Sequence, residues 1–230
     1  MHHTVLDALK KCCDAAEAAV SGDREAVISV IEGLVISGMM MNFVGHSRPA
    51  SGMEHYISHI IDMRALEFGT PSGLHGVQAG IGTLMTVDAY RKLMQLEPDE
   101  IAAKAAVEGF CKEDWYAFLR KKLGRGAEGM IAGEEREQKY SVEKHASRIE
   151  TIVREWETIR QIVSELPNAE ELRTFMRKIG HPVSGEELGL THAEMVDAFL
   201  MAKDIRDKYV LGRLIWDLYV QPEKFSEFVK

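Results

Sequence analysis

Three histidines, His55, His59 and His75, fall within a window of 21 residues and have the types and spacing to do chemistry. His55 and His59 are four apart, so on a helix they share one face, one turn from each other. His75 follows Gly73, where a second helix begins. A neutral imidazole is a common ligand for zinc, nickel and iron, and two packed helices can bring such rings to one cation. A zinc-protease pattern fails on order, because HExxH places its glutamate after the first histidine, whereas Glu54 precedes His55. A closed structural zinc site fails too, since no cysteine lies nearby to complete four ligands. Two readings remain. Either the rings are partly buried and bonded to backbone, with His75 capping its helix, or they form an open catalytic metal site whose third ligand comes from elsewhere.

The elements that must position these rings read as helices throughout. Residues 5–20 are Ala-rich and end at Gly22, and Asp23 caps a long apolar helix through Ile28, Ile31, Val35 and Met39. Gly33 and Gly38 within it imply close approach of a neighbour. Pro49 forces Arg48 out of helical geometry, and Ser51 with Glu54 makes a capping box for the helix bearing His55 and His59. A Gly-rich helix is predicted over 74–96, short ones over 99–110 and 113–123, and a long one over 141–166. Asn168 caps 169–179, which ends at Gly180, and Thr191 with Glu194 opens a last long helix reaching Trp216. No period-2 strand is evident. The expectation is one all-α domain over residues 1–230, a multi-helix bundle.

Composition narrows the partners. A formal charge of −8 and no basic stripe argue against nucleic acid and membrane surfaces. Three cysteines, two of them the adjacent Cys12 and Cys13, make a disulfide framework improbable and a reducing cytoplasm the expected compartment. The N-terminus lacks a signal-peptide core, and no uninterrupted apolar window reaches membrane-spanning length. Gly124-Arg125-Gly126-Ala127-Glu128-Gly129 matches GxGxxG, but a basic amphipathic helix precedes it where the dinucleotide fingerprint needs a strand. It reads as a flexible helix–helix connection, and residues 134–138 as a solvated charge run.

Ser47-Arg48-Pro49-Ala50-Ser51-Gly52, Glu54-His55 and Ser58-His59, followed by Leu74-His75-Gly76 and Gly80-Ile81-Gly82-Thr83, resemble the metal-binding region of sn-glycerol-1-phosphate dehydrogenases. These belong to the iron-containing alcohol dehydrogenase and dehydroquinate synthase-like superfamily. The resemblance runs from about Val20 to Leu218 and takes in Trp156-Glu157-Thr158-Ile159 and Ala202-Lys203-Asp204-Ile205-Arg206-Asp207-Lys208-Tyr209, as in the bacterial branch. It implies the all-helical C-terminal domain, with His55 and His75 as ligands of a divalent metal, zinc or nickel, and His59 in contact with the substrate. The implied reaction is metal-assisted hydride transfer between NAD(P) and dihydroxyacetone phosphate, giving sn-glycerol 1-phosphate for phospholipid biosynthesis. Arg48 is either a phosphate partner or a structural loop residue.

Family members carry the nucleotide site and an aspartate metal ligand on an N-terminal α/β domain that these residues do not match. The isolated chain is therefore expected not to turn over, being a fragment or one half of a split enzyme that needs a separate nucleotide-binding domain. A homo-oligomer is expected. The alternatives are a non-catalytic helical interaction module on the same scaffold, or another polyol dehydrogenase of the superfamily.

Overall fold

The structure, a computed structural model, describes residues 2–45, 50–221 and 224–229. Ser47, Arg48 and Pro49, with the turn and the phosphate role expected there, lie outside the described residues. Among those described there are thirteen α-helices and no strand, so the chain is all-α. It divides into two compact units, residues 1–52 with 174–181, and residues 53–173 with 182–230.

The first unit is a helical hairpin of α1 (His2–Val20) and α2 (Arg24–Val44) with the end of α10 (Ala169–Lys178). Gly22 at φ +88° turns the chain, and the Asp23 carboxylate accepts the Ala26 N–H at 2.9 Å. A β-carbon at Gly33 would overlap Cys12 Sγ, so this glycine does permit close packing, whereas Gly38 faces open space. Leu34 and Phe43 of α2 are exposed. α2 is long and apolar enough to cross a membrane by length and composition alone, and Glu32 interrupts its apolar run as the sequence shows. Its glycines and serines interrupt apolarity without adding charge.

The second unit holds the histidines. It comprises α3 (Met53–Phe68), α4 (His75–Leu93), α5 (Glu100–Glu108), α6 (Lys112–Leu123), α7 (Ala127–Glu137), α8 (Val142–Arg154), α9 (Trp156–Ser164), the start of α10, α11 (His192–Ala202), α12 (Leu211–Tyr219) and α13 (Phe225–Phe228). Ile57 and Ile60 from α3, Ile81 and Ala89 from α4, Phe199 from α11 and Trp216 from α12 are among its buried core residues. Thr191 caps its helix as expected, with Glu194 in a full capping box, and Asp99 and Ser141, read from sequence as first helical residues, are N-caps too. The expected helix over 141–166 is two, meeting at Glu155, whose ψ of 11° bends the path while the bond from Ile159 N–H to Glu155 O carries across.

Three expectations are refined. The glycine run is a helix–helix connection as expected, and Gly124–Gly126 forms it as a 3₁₀ turn leading directly into α7. Of the charge run, Glu135, Arg136 and Gln138 are exposed as expected, but Glu134 is buried, and its carboxylate accepts the backbone N–H groups of Lys139 and Tyr140. The last long helix also stops, at Ala202, and resumes only at Leu211.

A buried charge cluster accounts for that stop. Asp204 accepts hydrogen bonds from Trp115 Nε1 at 2.9 Å, Tyr140 Oη at 2.5 Å, Lys203 Nζ at 3.1 Å and Arg213 Nη2 at 2.5 Å. Lys203 Nζ also stands 3.4 Å from the Trp115 ring centre. Burial works against the Asp204 carboxylate, but the Lys203 and Arg213 charges outweigh it and hold its pKa down at about 2. One carboxylate in the turn thus meets donors from α6, from Tyr140, from α12 and from the adjoining Lys203. That turn carries Ile205 and Arg206 out beside α3.

Candidate metal centre

On α3 the buried positions Ile57, Ile60 and Ile61 anchor one side of the helix. His55, His59 and Asp62, spaced by four and three, share another face. The helix begins at Met53, so the residue preceding it is Gly52, one position later than the Ser51 cap read from sequence. α4 begins at His75 itself, with Leu74 in the capping position and no side-chain cap. The two helices approach closely at Gly82, where a β-carbon would come within 2.8 Å of the Glu54 carbonyl oxygen. His55 is the next residue after that contact, and His75 lies two turns back along α4.

The histidine rings meet at these helix starts. His55 Nδ1 and His75 Nε2 are 2.9 Å apart, with ring centres at 5.0 Å. The His59 and His75 ring centres are 5.2 Å apart. On its other nitrogen, His75 Nδ1 is 2.8 Å from Ser58 Oγ and 3.5 Å from Asp62 Oδ2. Sequence reasoning passed over Asp62, Ser58 and Gln78. For Asp62 a signal existed, its i+3 spacing from His59.

An open cleft of about 550 Å³ lies on the His59 side, lined by His59, Asp62, Met63, Gly126, Gly129 and Arg206, among others. Here the glycine run does have a use, since residues without side chains leave room in the lining. Burial, with the neighbouring Arg206 charge adding to it, pushes His59 below the usual histidine range. A neutral imidazole therefore faces the cleft at neutral pH.

The donor set fits a divalent transition metal. Ligand atoms of His59, Asp62 and His75 all lie within 4.8 Å of one another, a grouping that could hold a cation. The 2.9 Å between His55 Nδ1 and His75 Nε2 is near the roughly 3.3 Å expected for two nitrogens on one tetrahedral zinc at bond lengths of about 2.0–2.1 Å. Imidazole and carboxylate suit zinc and nickel, and no thiolate is part of the group.

No family model matches the chain. It is similar to curated proteins named glycerol-1-phosphate dehydrogenase [NAD(P)+]. The Bacillus licheniformis protein is 28% identical over 91% of this chain and 39% of its own length. The Bacillus subtilis protein is 28% identical over 92% and 41% respectively. A shorter stretch, 30% of this chain and 19% of the relative, is 47% identical to the Pyrococcus furiosus protein. The chain thus spans about two-fifths of the length of the Bacillus relatives. By descent it is related to the glycerol-1-phosphate dehydrogenases, and the part of them to which it corresponds is their C-terminal region.

Proposed function

We propose that this chain is the metal- and substrate-binding part of a cytoplasmic NAD(P)-dependent sn-glycerol-1-phosphate dehydrogenase. The observation that supports it best is the meeting of His55 and His75 across the starts of α3 and α4, with His59 against His75 and lining an open cleft, in a chain with these relatives. His55 and His75 would hold zinc or nickel through Nδ1 and Nε2. When bound there, a divalent metal supplies Lewis-acid polarisation of a carbonyl oxygen.

The chain's own residues then bind and orient. His59, kept neutral, offers a ring nitrogen to a hydroxyl of dihydroxyacetone phosphate or sn-glycerol 1-phosphate. Arg206 at the cleft edge supplies positive charge for a phosphate. The nicotinamide would come from a nucleotide-binding domain beyond these residues. Calorimetric titration of the Zn²⁺-loaded chain with dihydroxyacetone phosphate tests this. Binding that weakens in His59→Ala and disappears in His75→Ala is expected, while equal binding by all three would refute it. NAD(P)H oxidation by the chain alone would refute the separate nucleotide domain.

A further inference from the structure

We propose that Ser58 and Gln78 are positioning residues that fix the tautomer of His75, so that its Nε2 presents a lone pair toward His55. The proposal rests on the reading of His55 and His75 as metal ligands and adds how one of them is made ready.

The direction of each hydrogen bond follows from the groups that can only accept. The Gly73 carbonyl is an acceptor, and Gln78 Nε2 donates to it at 3.0 Å. That orients the amide and leaves Gln78 Oε1 pointing at Ser58, whose hydroxyl donates to it at 2.7 Å. With its one proton committed, Ser58 Oγ can only accept at the 2.8 Å contact with His75 Nδ1. His75 must therefore carry its proton on Nδ1. The Asp62 carboxylate, 3.5 Å from the same nitrogen, favours the same tautomer. Ser58 and Gln78 are both fully buried, so water does not compete for these bonds.

The consequence lies on the opposite side of the ring. A neutral His75 with its proton on Nδ1 has a bare Nε2, the atom 2.9 Å from His55 Nδ1. Without a metal, His55 donates its own Nδ1 proton to that lone pair. To take a metal, His55 must move its proton to Nε2, whereas His75 needs no rearrangement. One ligand is held ready by a chain reaching back to the backbone, and the other adapts.

Two measurements on the full chain test this. Long-range ¹H–¹⁵N correlation spectra of the metal-free protein read the tautomer directly; His75 protonated on Nδ1 is expected, and His75 protonated on Nε2 would overturn the proposal. Titration with Co²⁺ alone compares the parent with Ser58→Ala, Gln78→Leu and His75→Ala. Loss of an outer partner of a metal-bound histidine weakens affinity about 10- to 100-fold, and that range is expected for Ser58→Ala and Gln78→Leu, with Ser58→Thr restoring part of it. Unchanged affinity in a folded Ser58→Ala, with His75→Ala lost, would overturn the relay alone. Unchanged affinity in His75→Ala would overturn the metal reading and the relay with it.

Discussion

Gly82 of α4 rests on the backbone of Glu54 in α3 so closely that an added β-carbon would come within 2.8 Å of the Glu54 carbonyl oxygen. The obstacle is backbone, so it cannot swing aside as a side chain would. This approach sets the separation of the two helices just where His55 leaves α3. Gly82→Ala is expected to cost about 1–3 kcal/mol of stability through overpacking and to weaken Zn²⁺ binding by prising His55 from His75. Thermal melts and a Zn²⁺ titration of the variant check both effects.

Asp204 ties the 203–210 turn to the core and so sets where Arg206 stands over the cleft. Asp204→Asn would leave the Lys203 and Arg213 charges buried without their anion, a change that costs about 3–5 kcal/mol. Urea unfolding measures it directly.

Lys203 makes stability depend on pH. Burial pushes its pKa down from 10.5 to about 7, with the Asp204 charge only partly offsetting the cost and repulsion from the Arg213 charge adding to it. The unfolded chain therefore holds this proton up to about pH 10.5, and the folded chain loses it from about pH 7. Between those limits the unfolded state binds more protons, so stability from this group rises with pH. Relative to Lys203→Met, the parent should gain about 1 kcal/mol per pH unit from pH 7.5 to pH 9. Parallel denaturation curves with a constant offset would contradict this.

Asp62 separates two ways of using the histidines. If its carboxylate supports His75 from the Nδ1 side, Asp62→Asn should weaken Co²⁺ binding by about 10-fold and leave one equivalent bound. If it ligates the metal beside His59, stoichiometric binding should disappear. A Co²⁺ absorption titration distinguishes the outcomes.

Much of the helical frame was legible because its signals are local. Asp23 and Thr191 make the capping bonds expected of them, and Asp99 and Ser141, read as helix starts, accept backbone N–H groups in the same way. The pairing of His55 with His75 was suggested by helical spacing and then by resemblance. What stayed hidden depends on distant partners. The break after Ala202 has no glycine or proline to announce it, and Ile205 and Tyr209 continue a helical period; its cause is a carboxylate shared with Trp115 and Tyr140, 89 and 64 residues away. Glu134 looked solvated because its neighbours are charged, yet its acceptors are used by the backbone just beyond its own helix.

The central claim concerns where a cation sits, and anomalous diffraction at the zinc edge from crystals soaked in Zn²⁺ locates it. A peak about 2.0–2.1 Å from both His55 Nδ1 and His75 Nε2 is expected. A peak ligated by His59 and Asp62 without His55, or none within reach of either ring, would contradict it.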